Sequence, residues 1–244
     1  MKLQKICCIH GNIIAAWQDL IPSAGGDCCV DEFRKREAVV EAVRALDAQG
    51  LNHGSSGNVS IRHGDGLLVT PTGARAATLA PAGLVDLALD GTVRGDGIPS
   101  SEWRFHTELM RARSEIGAVI HTHADACVAL SCLRRPIPAF HYMVASFGGM
   151  SVPCARYAPF GSDALAEAAV AAMAGHRACL LANHGMIAVG RDIAQALDLA
   201  VKLETLARQY ILARQAGEPV LLSDDEMREV HRRYGHYGSS AMPR

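Results

Sequence analysis

The amino-acid sequence predicts an α/β fold in which helices cover both faces of a β-sheet. Segments with apolar residues at helical spacing alternate with short β-branched or fully apolar runs, which are typical of strands. Of the 244 residues, 49% are hydrophobic, and a chain of this length can bury a sizeable core. Because helices and strands alternate along the chain, we expect helices to pack on both sides of the sheet.

The first predicted helix covers residues 31–49, because Val39, Val43 and Leu46 recur at helical spacing and Gly50 follows as a stop signal. The segment after it alternates short apolar runs with glycine-rich turns, which is the pattern of strands joined by hairpins. The predicted strands of this part are residues 59–62, 67–70 and 84–89.

The rest of the chain contains most of the predicted helices. A serine at 100 or 101 is the predicted cap of one helix, and Asp192 is the predicted cap of another. The run Ala178–Ala182 is fully apolar and is predicted to be a buried strand. The predicted elements are a helix over 102–113, a strand over 118–120 with a helix after it, a helix over 163–173, strands over 178–182 and 186–189, a helix to about 215 and a helical tail from 224.

Composition excludes several classes of function. The net charge is −1 and the pI is about 6.8, so the chain lacks the basic surface of a nucleic-acid binder. No apolar run reaches the length of a membrane span. The eight cysteines have no disulfide-like spacing, which predicts free thiols and a cytoplasmic protein. We interpret residues 1–30 as an irregular N-terminal extension and residues 31–244 as a single domain.

Three histidines form the predicted metal site. In a strand, the side chains of His121 and His123 point to the same face, so both imidazoles can reach one ion. His184 ends another apolar run, and Gly185 after it permits close approach of the backbone. Three histidine ligands with an open fourth position are typical of catalytic zinc, although Co²⁺ or Mn²⁺ suits the same ligands.

Glu102 and three polar turns lie around these histidines in the sequence. Glu102 begins a predicted helix directly after Ser100 and Ser101, and a helix start with hydroxyl groups is suited to bind phosphate. The turns at 56–58 and 70–73 offer donors of the same kind. Together with the histidines, they predict a metal-dependent enzyme that acts on a phosphorylated substrate.

These motifs also carry a resemblance to a known family. In their order along the chain they are similar to the class II aldolases and their adducin-like relatives, and the similarity extends over residues 37–238. The segments Ser100–His106, Ile137–Met143, Gly148–Tyr157 and Leu222–Asp225 resemble in particular the members that cleave L-fuculose 1-phosphate. The motifs are Gly57-Asn58-Val59-Ser60, Thr70-Pro71-Thr72-Gly73, Pro99-Ser100-Ser101-Glu102, His121-Thr122-His123 and His184-Gly185.

The resemblance implies a three-layer α/β/α fold with a central mixed, largely antiparallel β-sheet, and a homotetramer with the active site between subunits. It implies that His121, His123 and His184 bind one Zn²⁺ per subunit, with Glu102 as acid/base and as fourth ligand when no substrate is bound. Tyr142 would protonate the aldehyde oxygen in an adjacent subunit's site. The substrate-binding residues would be Gly57, Asn58, Thr72, Gly73, Ser100 and Ser101 at the phosphate, and Phe160 and Tyr237 at the aldehyde.

The predicted reaction is reversible cleavage of a ketose 1-phosphate, similar to L-fuculose 1-phosphate, to dihydroxyacetone phosphate and lactaldehyde. The chain has four lysines, at 2, 5, 35 and 202, and none is placed for Schiff-base chemistry, which favours the metal-dependent route. His106 and His141 are interpreted as structural.

Three alternatives remain open. An aldolase for 5-deoxyribulose or 5-methylthioribulose 1-phosphate would use the same residues and differ only in the aldehyde pocket. A sugar-phosphate 4-epimerase usually has Asp where Glu102 stands. A non-catalytic, adducin-like interaction domain would have lost one or more of the four metal-site residues.

Overall fold

The computed structural model of the chain describes residues 26–236. The described residues fall into two units, with the boundary between residues 34 and 35. The described part of the first unit is the beginning of helix α1, and the second unit contains every strand described here. The predicted extension over residues 1–30 lies almost entirely outside the described residues.

Six α-helices and eight strands are formed by the described residues. The helices are α1 (Gly26–Ala48), α2 (Trp103–Ala112), α3 (Asp125–Ser131), α4 (Asp163–Ala172), α5 (Ile193–Ala216) and α6 (Asp224–His236). The strands are β1 (Asn58–His63), β2 (Gly66–Val69), β3 (Val85–Ala88), β4 (Val93–Arg94), β5 (Ala118–Thr122), β6 (Cys154–Ala155), β7 (Ala178–Leu181) and β8 (Gly185–Gly190). Short 3-10 helices cover Pro81–Gly83 and Tyr142–Phe147.

The eight strands form one mixed sheet in the order β4-β3-β2-β1-β5-β8-β7-β6. Strands β6 and β7 are parallel, and the other neighbours are antiparallel. In the central pairs, Asn58 lies opposite His121, and His121 lies opposite Ile187. This is the mixed, largely antiparallel sheet that the resemblance implies.

Helices pack on both faces of the sheet, as predicted. On one face, Val39 of α1 and Leu203 of α5 share a core with Ile120. On the other face, Phe105 of α2 and Leu165 of α4 share a core with Val119. Successive strand residues point to opposite faces, so the residue after Ile120, His121, points to the α2 side of the sheet. Its ring contacts Phe105 edge to face at 5.4 Å.

Most of the predicted elements are present with shifts of a few residues at their ends. The prediction that a serine at 100 or 101 caps α2 is wrong. The residue at that position is Glu102, and the hydroxyl of Ser100 accepts a hydrogen bond from the Glu102 amide at 3.3 Å. Asp192 caps α5 as predicted, accepting a hydrogen bond from the amide of Gln195 at 2.8 Å. The two-residue strands β4 and β6 and the 3-10 helices were not predicted.

Two further predictions can be compared with the described residues. Cys127, Cys132, Cys154 and Cys179 are free thiols. None of the helices within residues 26–236 is long and apolar enough to cross a membrane.

Candidate functional site

One end of the central strands carries the predicted metal ligands. β5 ends at Thr122, β8 begins at Gly185, and these strands are antiparallel neighbours. The end of β5 therefore lies beside the start of β8, which brings His121 and His123 close to His184. Helix α2 begins beside them on the face to which His121 points, and it places Glu102 at the same point.

The four side chains form one compact cluster. One ligand atom from each of Glu102, His121, His123 and His184 can be chosen so that all four atoms lie within 4.8 Å of one another. Nε2 of His121 is 3.0 Å from Nε2 of His123 and 3.2 Å from Oε2 of Glu102. Nε2 of His184 is 3.2 Å from Oε1 of Glu102. The structure thus brings together all the predicted metal ligands.

The protonation pattern of the histidines suits a cation. Nδ1 of His121 lies 2.9 Å from the carbonyl oxygen of Met186, which can only accept, so Nδ1 carries the proton and Nε2 offers a lone pair. Burial and the neighbouring His121 lower the pKa of His123 and of His184 to about 4, against the opposing effect of Glu102. At neutral pH these two imidazoles are therefore uncharged and able to act as ligands.

Glu102 is ionised and buried. Burial acts to raise its pKa, but the contact with His121, the charge that His184 carries at the acid pH where this carboxyl group titrates, and the hydrogen bond from the Asn58 amide outweigh burial and lower the pKa to about 2. Its Oε1 has no hydrogen-bond partner within the described part of the chain, although Nε2 of His184 is near. An ionised carboxylate oxygen facing imidazole nitrogens is a donor set that fits a divalent metal such as zinc.

A buried hydrogen-bond chain leads from Glu102 to the interior. The Asn58 amide nitrogen donates to Oε2 of Glu102 at 3.0 Å. The oxygen of the same Asn58 side chain lies 2.6 Å from Nε2 of His106, and Nδ1 of His106 lies 2.7 Å from the Ser60 hydroxyl. His106 was interpreted as structural from the sequence, whereas the structure connects it to Glu102 through Asn58.

Two glycines permit the close approach of the backbone at this site. At Gly57, φ is +75°, and a Cβ atom would lie 2.4 Å from Oδ1 of Asn52. At Gly185, a Cβ atom would lie 2.4 Å from the carbonyl oxygen of Thr122 and 3.2 Å from the ring of His123. Any larger residue at 185 would therefore push β8 away from the metal ligands on β5.

The polar turns form a cleft beside the cluster, with a volume of about 350 Å³. Backbone hydrogen bonds hold two of the turns together, from the Thr72 amide to the Ile98 carbonyl and from the Ser100 amide to the Thr70 carbonyl, each at 3.0 Å. The predicted site residues that line the cleft are Gly57, Asn58, Thr72, Gly73, Ser100, Ser101, Glu102, His123, Phe160 and His184.

Several residues differ from the prediction in their placement. Tyr142 is half exposed in a 3-10 helix and does not line the cleft of its own chain. Tyr237 lies outside the described residues. Ser55, Tyr157 and Asn183 also line the cleft, although they were not predicted to do so. The position of Asn183, immediately before the ligand His184, is the one sequence signal that points to it.

The residues present also bear on the alternatives. The non-catalytic alternative required the loss of a histidine or of Glu102, whereas all four side chains are present and clustered. Among the described residues, those that line the cleft include no lysine, so none is placed for a Schiff base.

Comparison with known proteins identifies relatives over most of the chain. The model of the class II aldolase and adducin N-terminal domain matches residues 37–211. A protein of Rhodospirillum rubrum, named 5-methylthioribulose-1-phosphate/5-deoxyribulose-1-phosphate aldolase, is 49% identical over 84% of this chain and 93% of its own length. The L-fuculose phosphate aldolase of Escherichia coli K12 is 41% identical over 82% and 94%. A solved L-fuculose 1-phosphate aldolase superposes with a TM-score of 0.80 at 35% identity, covering 83% and 96%.

Proposed function

Because this chain belongs to the class II aldolase and adducin family, we propose that it is a zinc-dependent enzyme that cleaves a ketose 1-phosphate reversibly to dihydroxyacetone phosphate and a small aldehyde. The chain is a class II aldolase, a carbon–carbon lyase. The observation that carries the finer proposal is the cluster of Glu102 with three histidines beside a donor-rich cleft.

His121, His123 and His184 would hold the zinc ion, with Glu102 as fourth ligand in the absence of substrate. When bound, zinc supplies a Lewis acid that stabilises the negative charge that develops on the substrate's oxygens as the C3–C4 bond breaks. The neutral state of His123 and His184 at pH 7 supports this assignment, because only the unprotonated imidazole is a ligand.

Glu102 would act as the acid/base of the reaction. After the C3–C4 bond breaks, the electron pair stays on C3, and Glu102 delivers a proton to that carbon to complete dihydroxyacetone phosphate. In the reverse direction it removes the same proton. The Asn58 amide keeps Oε2 of Glu102 in place, and burial of the carboxyl group in the cleft limits competition from water.

The phosphate would be bound by the turns around Gly57, Thr72, Gly73, Ser100 and Ser101. Thr72 and Gly73 are exposed at the cleft, where the Thr72 hydroxyl and the Gly73 amide face an incoming anion, while the Thr72 amide is held by the Ile98 carbonyl. The Asn58 side chain already makes hydrogen bonds with Glu102 and His106. We keep the prediction that Asn58 also binds the phosphate. The phosphate lies away from the bond that breaks, and its binding orients the substrate.

The aldehyde released would be acetaldehyde or a methylthio-aldehyde, from 5-deoxyribulose or 5-methylthioribulose 1-phosphate. The 49% identical relative supports this choice over L-fuculose 1-phosphate. L-Fuculose 1-phosphate, which releases lactaldehyde, is the second candidate, supported by the 41% identical relative and by the segment Ser100–His106. The two classes differ by a few atoms at C5 and C6, and the same metal and phosphate groups would serve both.

We further propose a cytoplasmic homotetramer in which Tyr142 of one subunit protonates the aldehyde oxygen in the site of its neighbour. Its position outside the cleft of its own chain is compatible with that role. Phe160 and Tyr237 would line the pocket for the aldehyde. Phe160 lines the cleft and is 74% exposed there.

The experiment that tests the function is a cleavage panel. The purified enzyme with zinc is assayed on L-fuculose, 5-deoxyribulose and 5-methylthioribulose 1-phosphates, and kcat/KM is compared. We expect cleavage of at least one, with dihydroxyacetone phosphate as the common product and the 5-deoxy or 5-methylthio substrate preferred. Absence of cleavage of all three by protein that contains zinc would refute the proposed function.

A further inference from the structure

Two residues beside the cleft have an uncommon backbone conformation. Arg134 and Asn183 both have φ of +54°, and they are the non-glycine residues with positive φ within the described part of the chain. Asparagine adopts this conformation more readily than most residues, whereas arginine seldom does. Such positions persist where the surroundings enforce them, and they occur often at functional sites.

Hydrogen bonds and one ring contact hold Arg134 and Asn183 in this backbone conformation. Nε of Arg134 donates to Oδ1 of Asn183 at 2.6 Å, and the Arg134 guanidinium lies 5.4 Å from the centre of the Tyr157 ring. The carbonyl of Ser131 accepts hydrogen bonds from the amides of both Arg134 and Asn183, at 3.0 and 3.1 Å. The Ser131 hydroxyl also accepts from the amide of His184 at 3.2 Å.

The hydrogen bond from Arg134 decides which way the Asn183 carboxamide faces. An arginine N–H can only donate, so the atom of Asn183 beside it is the oxygen. The amide nitrogen of Asn183 then faces away from Arg134, and no described group of the protein accepts a hydrogen bond from it. Because a charged donor polarises the carboxamide, the two free N–H groups are also better donors.

The order of the strands places Asn183 at the aldehyde side of the cleft. The phosphate turns lie at the start of β1 and after the end of β2, the metal ligands lie at the end of β5 and just before β8, and Asn183 and Tyr157 follow β7 and β6. Across the sheet, the sequence of features is therefore phosphate turns, metal ligands, then Asn183. A ketose 1-phosphate bound along this line has C1 at the turns and C4 on the far side of the metal.

We propose that Asn183 is a further catalytic residue, whose carboxamide N–H donates a hydrogen bond to the C4 oxygen of the substrate, and that Arg134 is its positioning residue. This inference rests on the proposed aldolase function. During cleavage the C4 hydroxyl loses its proton and becomes the aldehyde oxygen; the proton returns to Tyr142 of the adjacent subunit, the group proposed above to supply it in the reverse direction. In the reverse direction that oxygen gains negative charge, which a fixed N–H donor stabilises.

Two reactions separate this role from a structural one. Exchange of the hydroxymethyl protons of dihydroxyacetone phosphate with solvent needs the metal, Glu102 and the phosphate turns, but no C4 oxygen. Cleavage needs all of them and the C4 oxygen as well. Removal of the Asn183 donor should therefore reduce cleavage and leave exchange unchanged.

The variants are Asn183→Gly, which tolerates positive φ, and Asn183→Asp, which keeps the shape and removes the donors. Each is compared with wild type for zinc content, proton exchange, and cleavage of L-fuculose and 5-deoxyribulose 1-phosphates. We expect kcat for cleavage to fall about 100-fold on whichever of the two substrates wild type cleaves, with normal zinc content and exchange. Arg134→Ala should lower cleavage by a smaller factor, and Arg135→Ala, its exposed neighbour, should have no effect.

Several outcomes would overturn the inference. Normal cleavage by both Asn183 variants would exclude the contact with substrate. A parallel loss of zinc or of exchange would show that Asn183 acts only by holding His184. A loss confined to L-fuculose 1-phosphate, when wild type cleaves both, would place the donor at the C5 hydroxyl instead. If wild type exchanges the protons but cleaves neither of these substrates nor 5-methylthioribulose 1-phosphate, the proposed function fails, which is distinct from failure of this inference.

Discussion

Nε2 of His106 lies 2.6 Å from Oδ1 of Asn58, deep in the core and one hydrogen bond away from the carboxylate of Glu102. His106 has no exposed surface, and both of its ring nitrogens have partners. The pair sets the orientation of the Asn58 carboxamide, because only the amide nitrogen can donate to Glu102. A residue in the core thereby fixes the position of a group in the cleft.

Replacing His106 should reduce both stability and proton exchange. In His106→Ala, the Ser60 hydroxyl and the Asn58 oxygen lose their partners in a buried cavity, and we expect a loss of about 3 kcal/mol in the free energy of unfolding. Asn58 is then free to turn away from Glu102, so exchange into dihydroxyacetone phosphate should fall about tenfold. The control is Ser60→Ala, which removes the hydrogen-bond partner of His106 on the side away from Asn58 and should leave exchange near the wild-type rate. Equal exchange in His106→Ala would show that Asn58 needs no support.

The lowered pKa of the buried His106 makes the stability of the fold depend on pH. Burial and the charge of His121 lower its pKa to about 3, against the effect of Glu102, while an unfolded histidine has a pKa near 6.5. Between these values the unfolded chain binds more protons, so stability is highest above pH 6.5 and falls as pH drops. From pH 7 to pH 5 this histidine should cost about 2 kcal/mol.

The measurement uses urea unfolding of metal-free wild type and His106→Gln at both pH values. The other histidines titrate in both proteins, so their effect cancels in the difference. We expect the advantage of wild type over His106→Gln to shrink by about 2 kcal/mol at pH 5. An advantage that is independent of pH would show that His106 keeps an ordinary pKa in the folded protein.

Glu102→Gln should abolish exchange of the dihydroxyacetone phosphate protons while binding of the phosphate remains largely intact. The amide has nearly the same shape as the carboxylate but cannot take up a proton, so the acid/base role is lost alone. Exchange is followed by NMR in D₂O, and binding by calorimetry. Glu108→Gln, a change of the same kind on the same helix at an exposed site, is the control. Normal exchange in Glu102→Gln would place the base elsewhere.

The histidine cluster predicts a metal content of about one zinc per chain and loss of activity with a chelator. A ligand that binds only the folded state stabilises it, by about 2.7 kcal/mol at a free concentration of 100 times Kd. Unfolding with and without zinc should therefore differ for wild type, whereas His123→Ala and His184→Ala should lose most of this difference. His53→Ala removes an exposed histidine outside the cluster and should behave as wild type. A chelator-resistant, metal-free enzyme would contradict the assignment.

The parts of the site that could be predicted from the sequence are those with a local signal. The alternation of side chains along the strand that ends at Thr122 predicts that His121 and His123 share a face. Asp192 predicts the start of α5, because it is a cap residue directly before the helix. These patterns span a few residues, over which backbone geometry determines where side chains point.

The parts that could not be predicted depend on partners far apart in the chain. His106 meets Ser60 and Asn58 across separations of 46 and 48 residues, and no local pattern distinguishes it from an ordinary core histidine. The two-residue strands β4 and β6 are too short to show periodicity, and their pairing comes from the neighbouring strands. The contact of Arg134 with Asn183 arises in the same way, from the packing of two distant turns against Ser131.

Gly185→Ala should weaken zinc binding more than it weakens the fold. The added Cβ would lie 2.4 Å from the carbonyl oxygen of Thr122, which is backbone and cannot rotate away, so the start of β8 must move from β5, and His184, directly before β8, must move away from His121. We expect a cost of about 1–3 kcal/mol in stability and a clear fall in zinc affinity, measured by urea unfolding and by competition with a chromophoric chelator. Gly217→Ala, where an added Cβ meets nothing within 4 Å, is the matched control. Wild-type zinc affinity in Gly185→Ala would show that the ligands tolerate this displacement, and that the close approach of the two strands is not what fixes the metal site.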